Sequence, residues 1–414
     1  MEQKLVCYRC NEEYLPKMYY SCQLCDGILE VVREKKASDK EIIVNGSAHF
    51  SQGMWKYFEM LPVQNPANVI SLGEGATPLI RESRIPDKWC CDVSMYIKAE
   101  SLNPSGSFKD RPSSVGISVA KELKLNTVVV SSSGNAGAAV AAYAARSGMR
   151  CIVIVPENTD MNKVLQAQSY GAQLLGVRGH FSNCYFLAKQ MSEYFGWANL
   201  VSTFLNPYTV EANKTVAYEL FEQLKGEVPD YITVPIGSGP LLAGVYKGYR
   251  ELRDFGLSKK LPIMIGVQVE QCQPITEAFH NLMPVSAWDK PMATIAGGIS
   301  DPLIGYEKDG ELTIELVRKS GGTMTSLSED EVREATTIIE TQTGLYCEPT
   351  GAVSVGAVKK LCHEGFIEKG ASVVCLMTGH GFKFSKRTLT SLRIVEDFEQ
   401  AVKIFKNEKK EIWR

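Results

Sequence analysis

Thr127-Val-Val-Val-Ser-Ser-Ser-Gly-Asn-Ala-Gly137, running on through an alanine-rich stretch to Arg146 and then to Cys151-Ile-Val-Ile-Val-Pro156, decides the fold class. Thr127 to Val130 is a β-branched run that suits a pleated strand. Ala136 to Arg146 is dominated by alanine, the best helix former. Cys151 to Val155 is again apolar and of strand length, and Pro156 ends it. Strand, Ser/Gly loop, helix and strand in that order make a βαβ unit, whose strands are parallel.

The alternation continues outward. Helices are predicted over Met161 to Tyr170, Asn183 to Tyr194, Leu241 to Arg253, Glu329 to Gln342 and Gly351 to His363. Strands are predicted over Ala172 to Val177, Tyr231 to Val234, Pro262 to Val269 and Ser372 to Met377. Such spacing means an α/β chain of parallel sheets covered on both faces. Ligands of these sheets bind at the carboxyl ends of the strands, where Ser131 to Gly137 and Gly237 to Gly244 fall. The expected division is a separate segment 1–45, a larger domain of 46–125 with 210–395, a smaller mobile domain 126–209, and an amphipathic C-terminal helix with a charged tail, 396–414.

Composition narrows the class. The 414 residues are 44% hydrophobic and 22% charged, with a net charge of −2. That balance suits a globular core and gives no electrostatic reason to bind nucleic acid or an anionic membrane. Leu125 to Ala145 is uncharged, but its Ser, Gly, Asn and Ala content reads as strand, loop and helix, not as a membrane span. Met1 to Cys10 lacks a secretory pattern, and the expected location is cytoplasmic.

Eight of the twelve cysteines are scattered and read as small buried hydrophobes. The other four form Cys7-x-x-Cys10 and Cys22-x-x-Cys25, separated by eleven residues. Thiolates on two tight turns complete a tetrahedral site, so a structural Zn²⁺ in a ribbon is expected. A ribbon that keeps its fold without metal is the alternative.

Four segments carry chemistry. Asn103-Pro-Ser-Gly-Ser-Phe-Lys-Asp-Arg111 sets Lys109 beside Phe108 at a helix start, where a semi-buried aromatic setting lowers an amine's pKa. Ser131-Ser-Ser-Gly-Asn-Ala-Gly137 offers hydroxyls and free N–H groups to a carboxylate. Pro235-Ile-Gly-Ser-Gly-Pro-Leu-Leu-Ala-Gly244 opens a helix after a strand and suits a phosphate held by backbone N–H groups and the helix dipole. It lacks the third glycine of a dinucleotide loop and the lysine of a P-loop. Leu376-Met-Thr-Gly-His-Gly381 places a hydroxyl at a strand end. Alone, each segment reads as a surface lysine or an ordinary turn.

Together and in this order the segments resemble the threonine synthase family of fold type II pyridoxal-5′-phosphate (PLP) enzymes. Leu29-Glu-Val-Val32, Gly73-Glu-Gly-Ala-Thr-Pro78, Glu211-Ala-Asn-Lys-Thr215 and Glu348-Pro-Thr-Gly-Ala352 extend the resemblance over nearly the whole chain. It implies two αβα domains like those of tryptophan synthase β, a bound PLP and a homodimer. Lys109 is then the Schiff-base lysine and general base, with Phe108 packed near it. Asn135 meets the cofactor's 3′-oxygen, and Gly237, Ser238, Gly239, Pro240 and Leu241 hold its phosphate. Thr378 faces the pyridine nitrogen, while Ser132, Ser133 and Gly134 take the substrate carboxylate. A neutral hydroxyl at the ring nitrogen suits elimination and replacement over transamination.

Departures from the family cluster where a substrate phosphate is held. Phe204 stands in place of a serine, Thr209 in place of an arginine and Ala136 in place of a threonine. Lys214 and Arg111 are the remaining candidate charges. The expected activity is therefore elimination or replacement at Cβ or Cγ of a small amino acid whose leaving group is not the phosphate of O-phosphohomoserine. Threonine synthase proper, a serine/threonine or diaminopropionate ammonia-lyase, and a non-catalytic PLP-binding protein are the alternatives.

Overall fold

The computed structural model describes residues 3–36, 38–179 and 181–384. The expected C-terminal helix and tail, 396–414, lie outside the described residues. Two sheets build the body. The smaller has four parallel strands in the order Gln173–Val177, Arg150–Pro156, Thr127–Ser131, Ala198–Asn199. Its valines explain the unbroken apolar run of the sequence. Val128, Val130 and Val153 pack against the alanine-rich helix Asn135–Ser147, while Val129, Ile152 and Ile154 pack against Cys184 and Ala188 on the opposite face. A strand covered on both sides shows no apolar–polar alternation.

The larger sheet runs Thr323–Leu327, Ile263–Val269, Tyr231–Pro235, Ala371–Leu376, Val93–Lys98, Leu79–Glu82. All neighbours are parallel except the last pair, so one edge strand departs from the expected parallel pattern. Alternate residues feed two cores: Ile232, Val234, Val374 and Leu376 face one side, Val267, Val373 and Cys375 the other. A third, antiparallel sheet of Glu13–Tyr14, Gln3–Cys7 and Leu29–Arg33 forms the N-terminal ribbon.

Helix ends follow local chemistry. Pro240 and Pro349 open the helices Pro240–Asp254 and Pro349–His363 at positions that need no N–H donor. Ser328 and Glu331 form a capping box ahead of Glu329–Thr343. The helix after Lys109 is Asp110–Glu122, with Lys109 itself as N-cap. Neighbouring strands Tyr231–Pro235 and Ala371–Leu376 end side by side, so the loops that follow them open on one edge of the sheet.

Candidate active site

The lysine segment is sewn to the Thr-Gly-His-Gly loop by backbone. Phe108 N–H donates to Thr378 O at 3.0 Å and His380 N–H to Gly106 O at 2.9 Å, with a bridge between Ser107 and Gly379. Gly106 takes a positive φ of 87°, open to glycine without strain. Asp110 steadies the turn by accepting from Ser105 N–H at 3.0 Å and Ser105 Oγ at 2.7 Å. Lys109 Nζ then lies 4.1 Å from the Phe108 ring centroid and donates to Ser202 Oγ. Burial pushes its pKa down to about 8, against the opposing pull of Asp301 and Glu348. A lysine so placed is partly the free amine near neutral pH, as a nucleophile requires.

The other predicted segments follow strands of both sheets, the serine loop after Thr127–Ser131 of the smaller one and the Gly-Ser-Gly loop after Tyr231–Pro235 of the larger one. Asn135 begins the helix Asn135–Ser147, and its Nδ2 donates to Glu348 Oε1 at 2.9 Å. Gly134 is the N-cap and donates to Ser132 Oγ at 3.2 Å, while Ser132 and Ser133 are half-buried beside this open helix start. In the Gly-Ser-Gly loop, Gly239 has φ 114°, and a Cβ there would overlap Thr313. Thr313 Oγ1 donates to Ser238 O at 2.7 Å and fixes the loop over the helix N-terminus, and Leu241 anchors the first turn in the core.

Four buried hydroxyls of these segments lack a partner, those of Ser107, Ser131, Ser238 and Thr378. Ser238 is 3% exposed and Thr378 2%, and the oxygen of each side chain is buried with nothing to bond. Buried polar groups in native proteins are nearly always satisfied. A neutral hydroxyl at Thr378 fits a ring nitrogen, and Ser238, with backbone N–H groups and a helix dipole behind it, fits a phosphate. The donor set therefore matches PLP, whose phosphate and pyridine would use the oxygens of Ser238 and Thr378.

The residues expected at the leaving group are turned to other work. Thr209 Oγ1 donates to Asn206 O at 2.8 Å, and a Cβ added at Gly116 would lie 3.1 Å from its methyl group. Phe204 is buried with Tyr185 and Tyr306 in the core, and its N–H donates to Asp309 Oδ2 at 3.0 Å. Ala136 is buried in the first turn of the helix Asn135–Ser147. Both candidate cations are also engaged. Arg111 is locked between Glu100 and Glu219, and Lys214 between Glu211 at 2.8 Å and Glu251 at 3.1 Å.

Ser202, Asp301, Glu348 and Lys383 were not singled out by the sequence. Glu348 opens a motif that is visible there, whereas Ser202 lies two residues before Phe204 in a stretch with no signature of its own. Lys383 Nζ donates to Gln166 Oε1 at 2.8 Å, and Gln166 Nε2 to Ser105 O at 3.1 Å. That chain of contacts ties the helix Met161–Ser169 to the lysine loop.

In the ribbon, the Sγ atoms of Cys7, Cys10, Cys22 and Cys25 lie within 4.8 Å of one another. Gly27 makes the room, since a Cβ there would stand 2.6 Å from Cys7 Sγ. Four thiols so gathered form a ligand set for a tetrahedral cation.

Residues 70–379 match the family model of pyridoxal-phosphate dependent enzymes. Threonine synthase of Methanocaldococcus jannaschii is 35% identical over 91% of this chain and 92% of its own length. That of Methanosarcina acetivorans is 34% identical over 92% of each. Among solved structures, maize serine racemase superposes with a TM-score of 0.64 at 20% identity, covering 81% of this chain and 92% of that one, a likeness of fold. Among the described residues no helix is long and apolar enough to cross a membrane. Over most of its length the chain belongs to the pyridoxal-phosphate-dependent enzymes and, within them, to the threonine synthase family.

Proposed function

We propose that this enzyme eliminates from, or substitutes at, Cβ or Cγ of a small amino acid whose leaving group is not the phosphate of O-phosphohomoserine. The observation that carries the reading is the engagement of both candidate cations, Arg111 and Lys214, in buried ion pairs. Without them, Thr209, Phe204 and Ala136 leave a phosphate dianion short of the donors its desolvation demands.

PLP, bound to Lys109, supplies the electron sink at Cα. The protein's own groups do the rest. Asn135 and Thr378 would orient the ring, and Gly237, Ser238, Gly239, Pro240 and Leu241 would hold the phosphate. Ser132, Ser133 and Gly134 would take the substrate carboxylate at the helix N-terminus. Lys109, displaced by the substrate, would carry the Cα proton, with Ser202 holding its amine in place. The smaller sheet unit, 126–209, would move as a domain about the lysine loop. The four ribbon cysteines would bind one Zn²⁺, and two chains would pair as a homodimer.

Threonine synthase proper is the second reading. It is favoured by relatives of that name over nine-tenths of the chain and by Lys383, a cation beside Gly106. Steady-state kinetics with O-phosphohomoserine against serine, threonine, homoserine and 2,3-diaminopropionate separates the two. Efficient turnover of the phosphorylated substrate alone would overturn the first.

A further inference from the structure

A buried carboxylate meets the start of the helix Asn135–Ser147. Glu348 is 8% exposed, and its Oε1 accepts from Asn135 Nδ2 at 2.9 Å. Its backbone N–H donates to Gly379 O at 3.0 Å, and Cys347 beside it pairs with His380 in a bridge. The side chain passes so close to Gly379 that a Cβ there would overlap Glu348 Oε1. A glycine after Thr378 is therefore what lets this acid reach across to Asn135. Glu348 is also the N-cap of the helix Pro349–His363, yet its side chain makes no bond to that helix's own N–H groups. The carboxylate is turned to the asparagine instead.

That bond decides which way round the Asn135 amide lies. A side-chain amide has donors at one end and an acceptor at the other, and a half-turn exchanges the two. An ionised carboxylate only accepts, so it takes the N–H₂ end. Burial raises the pKa of Glu348, and the Asn135 hydrogen bond with the charges of Lys383 and Lys109 works against that rise. One hydrogen of Nδ2 goes to Glu348, and the second is left to donate. A ring oxygen that carries negative charge needs a donor, and the carbonyl end of a turned amide would repel it.

We infer that Glu348 is a positioning residue for the cofactor: it holds the Asn135 amide by its N–H₂ end and so makes Asn135 a donor to the cofactor's 3′-oxygen. The inference rests on the functional reading given above, in which Asn135 orients the ring. In this role Glu348 acts through Asn135 and not on the substrate.

The test is a double-mutant cycle on cofactor binding. Glu348→Gln keeps the shape of the side chain but can donate as well as accept, which frees the Asn135 amide to turn. Full-length protein stripped of cofactor is prepared unmodified, as Glu348→Gln, as Asn135→Ala and as both. Each is titrated with PLP well above pH 8, where Lys109 is the free amine. Loss of a negative charge near an anionic cofactor acts in both backgrounds and cancels from the cycle. The melting temperature of the stripped proteins serves as a control. The absorbance of the Lys109-bound cofactor, which reports the proton on its ring oxygen, is a second signature. Asn135→Ala should weaken PLP binding about tenfold, the scale of one hydrogen bond to a charged group. Glu348→Gln should cost about tenfold more affinity with Asn135 in place than with alanine there, on the same scale. The absorbance change that it causes should likewise be larger with Asn135 in place. Weakened binding in Asn135→Ala with a coupling below about twofold would overturn the role of Glu348 alone. Coupling confined to the melting of the stripped proteins would make the bond merely structural and overturn that role too. PLP affinity and absorbance unchanged in Asn135→Ala would overturn the placing of Asn135 at the ring oxygen, and this inference with it. Should Glu348→Gln fail to fold, Glu348→Asp closes the same cycle: it keeps the charge, withdraws the acceptor by one methylene, and must show coupling of the same sign.

Discussion

Arg111 grips Glu219 with a two-pronged ion pair, Nη1 donating to Oε1 and Nη2 to Oε2, each at 2.7 Å. The same guanidinium holds Glu100 through Nε at 2.8 Å and Nη2 at 2.7 Å, and Lys98 Nζ reaches Glu219 Oε2 at 2.7 Å. All four side chains are buried. Two residues beyond Lys109, a charge that would suit an anionic substrate has become a strut between the helices Asp110–Glu122 and Lys214–Gln223.

The strut makes a stability prediction. Glu219→Gln leaves two buried cations with one carboxylate between them and should cost about 3–5 kcal/mol in urea unfolding, the range for breaking a buried pair. Burial disfavours the ionised Glu219, but the Arg111 and Lys98 charges outweigh it and hold its carboxyl far below its ordinary range. A carboxylate depressed in the folded state contributes stability that is present above its unfolded pKa and lost as pH falls below it. The unmodified protein should therefore lose stability on acidification more steeply than Glu219→Gln. A loss under about 1 kcal/mol in the variant would mean that the pair contributes no more than a surface contact.

Lys109 supplies the second prediction. Burial brings its pKa to about 8, with Asp301 and Glu348 opposing. The folded state therefore binds fewer protons than the unfolded chain between about 8 and the ordinary lysine value. Stability on this account rises with pH across that window. Reactivity follows the free amine: in cofactor-stripped protein, borohydride fixation of PLP to Lys109 should rise with a midpoint near pH 8. Glu348→Gln removes an opposing charge and should move the midpoint lower. Lys109→Ala should abolish both turnover and fixation, and a labelled peptide elsewhere in that variant would show the lysine misassigned.

Much of this was legible from residues alone, and what was missed has physical causes. The runs at Thr127 and Cys151 announce buried strands because both faces are covered. Val93–Lys98 hides its strand character because Ser94, Tyr96 and Lys98 interrupt the pattern, and Lys98 is tolerated there through its pairing with Glu219. Thr323–Leu327 is masked by polar threonines and serine at an edge. The two glycine-rich loops and Thr378 sit on strand ends and the lysine at a helix start, where composition marks them. The Lys109–Ser202 bond joins residues 93 apart. Asp301 sits in an irregular segment just before Leu303, whose φ is 56°. Neither has a local signature, since each depends on how the two sheets meet.

The ribbon gives the third prediction. Protein purified under reducing conditions without chelator should carry one zinc per chain, bound by Cys7, Cys10, Cys22 and Cys25. Four thiolates leave no open coordination position, so metal removal should lower stability and leave the chemistry at Lys109 intact. Gly27→Ala pushes a methyl group toward Cys7 Sγ and should weaken zinc retention. Elemental analysis decides it, and zinc far below one equivalent in the unmodified protein would favour a ribbon that folds without metal.

The leaving-group pocket gives the last. A phosphate dianion taken from water needs charge-assisted donors in return, and a bidentate arginine is the strongest single source. Arg111 is bound twice over by carboxylates, Lys214 is held by Glu211 and Glu251, and Thr209 engages its hydroxyl with Asn206 O. Lys383 remains, held by Gln166; burial pushes its ammonium pKa down, opposed by Glu348 and Asp110. The unmodified enzyme should accordingly act on O-phosphohomoserine with a kcat/KM well below roughly 10⁴ M⁻¹s⁻¹, the lower end of ordinary enzymes. Ala136→Thr with Thr209→Arg restores a hydroxyl and a cation. The arginine must leave the Gly116 contact to reach the pocket, so the gain should be about tenfold and appear mainly in KM, as expected for a contact made equally to substrate and transition state. A kcat/KM above that bound in the unmodified enzyme would return the protein to threonine synthase proper and make Lys383 the first residue to test as its phosphate grip, through loss of turnover in Lys383→Gln.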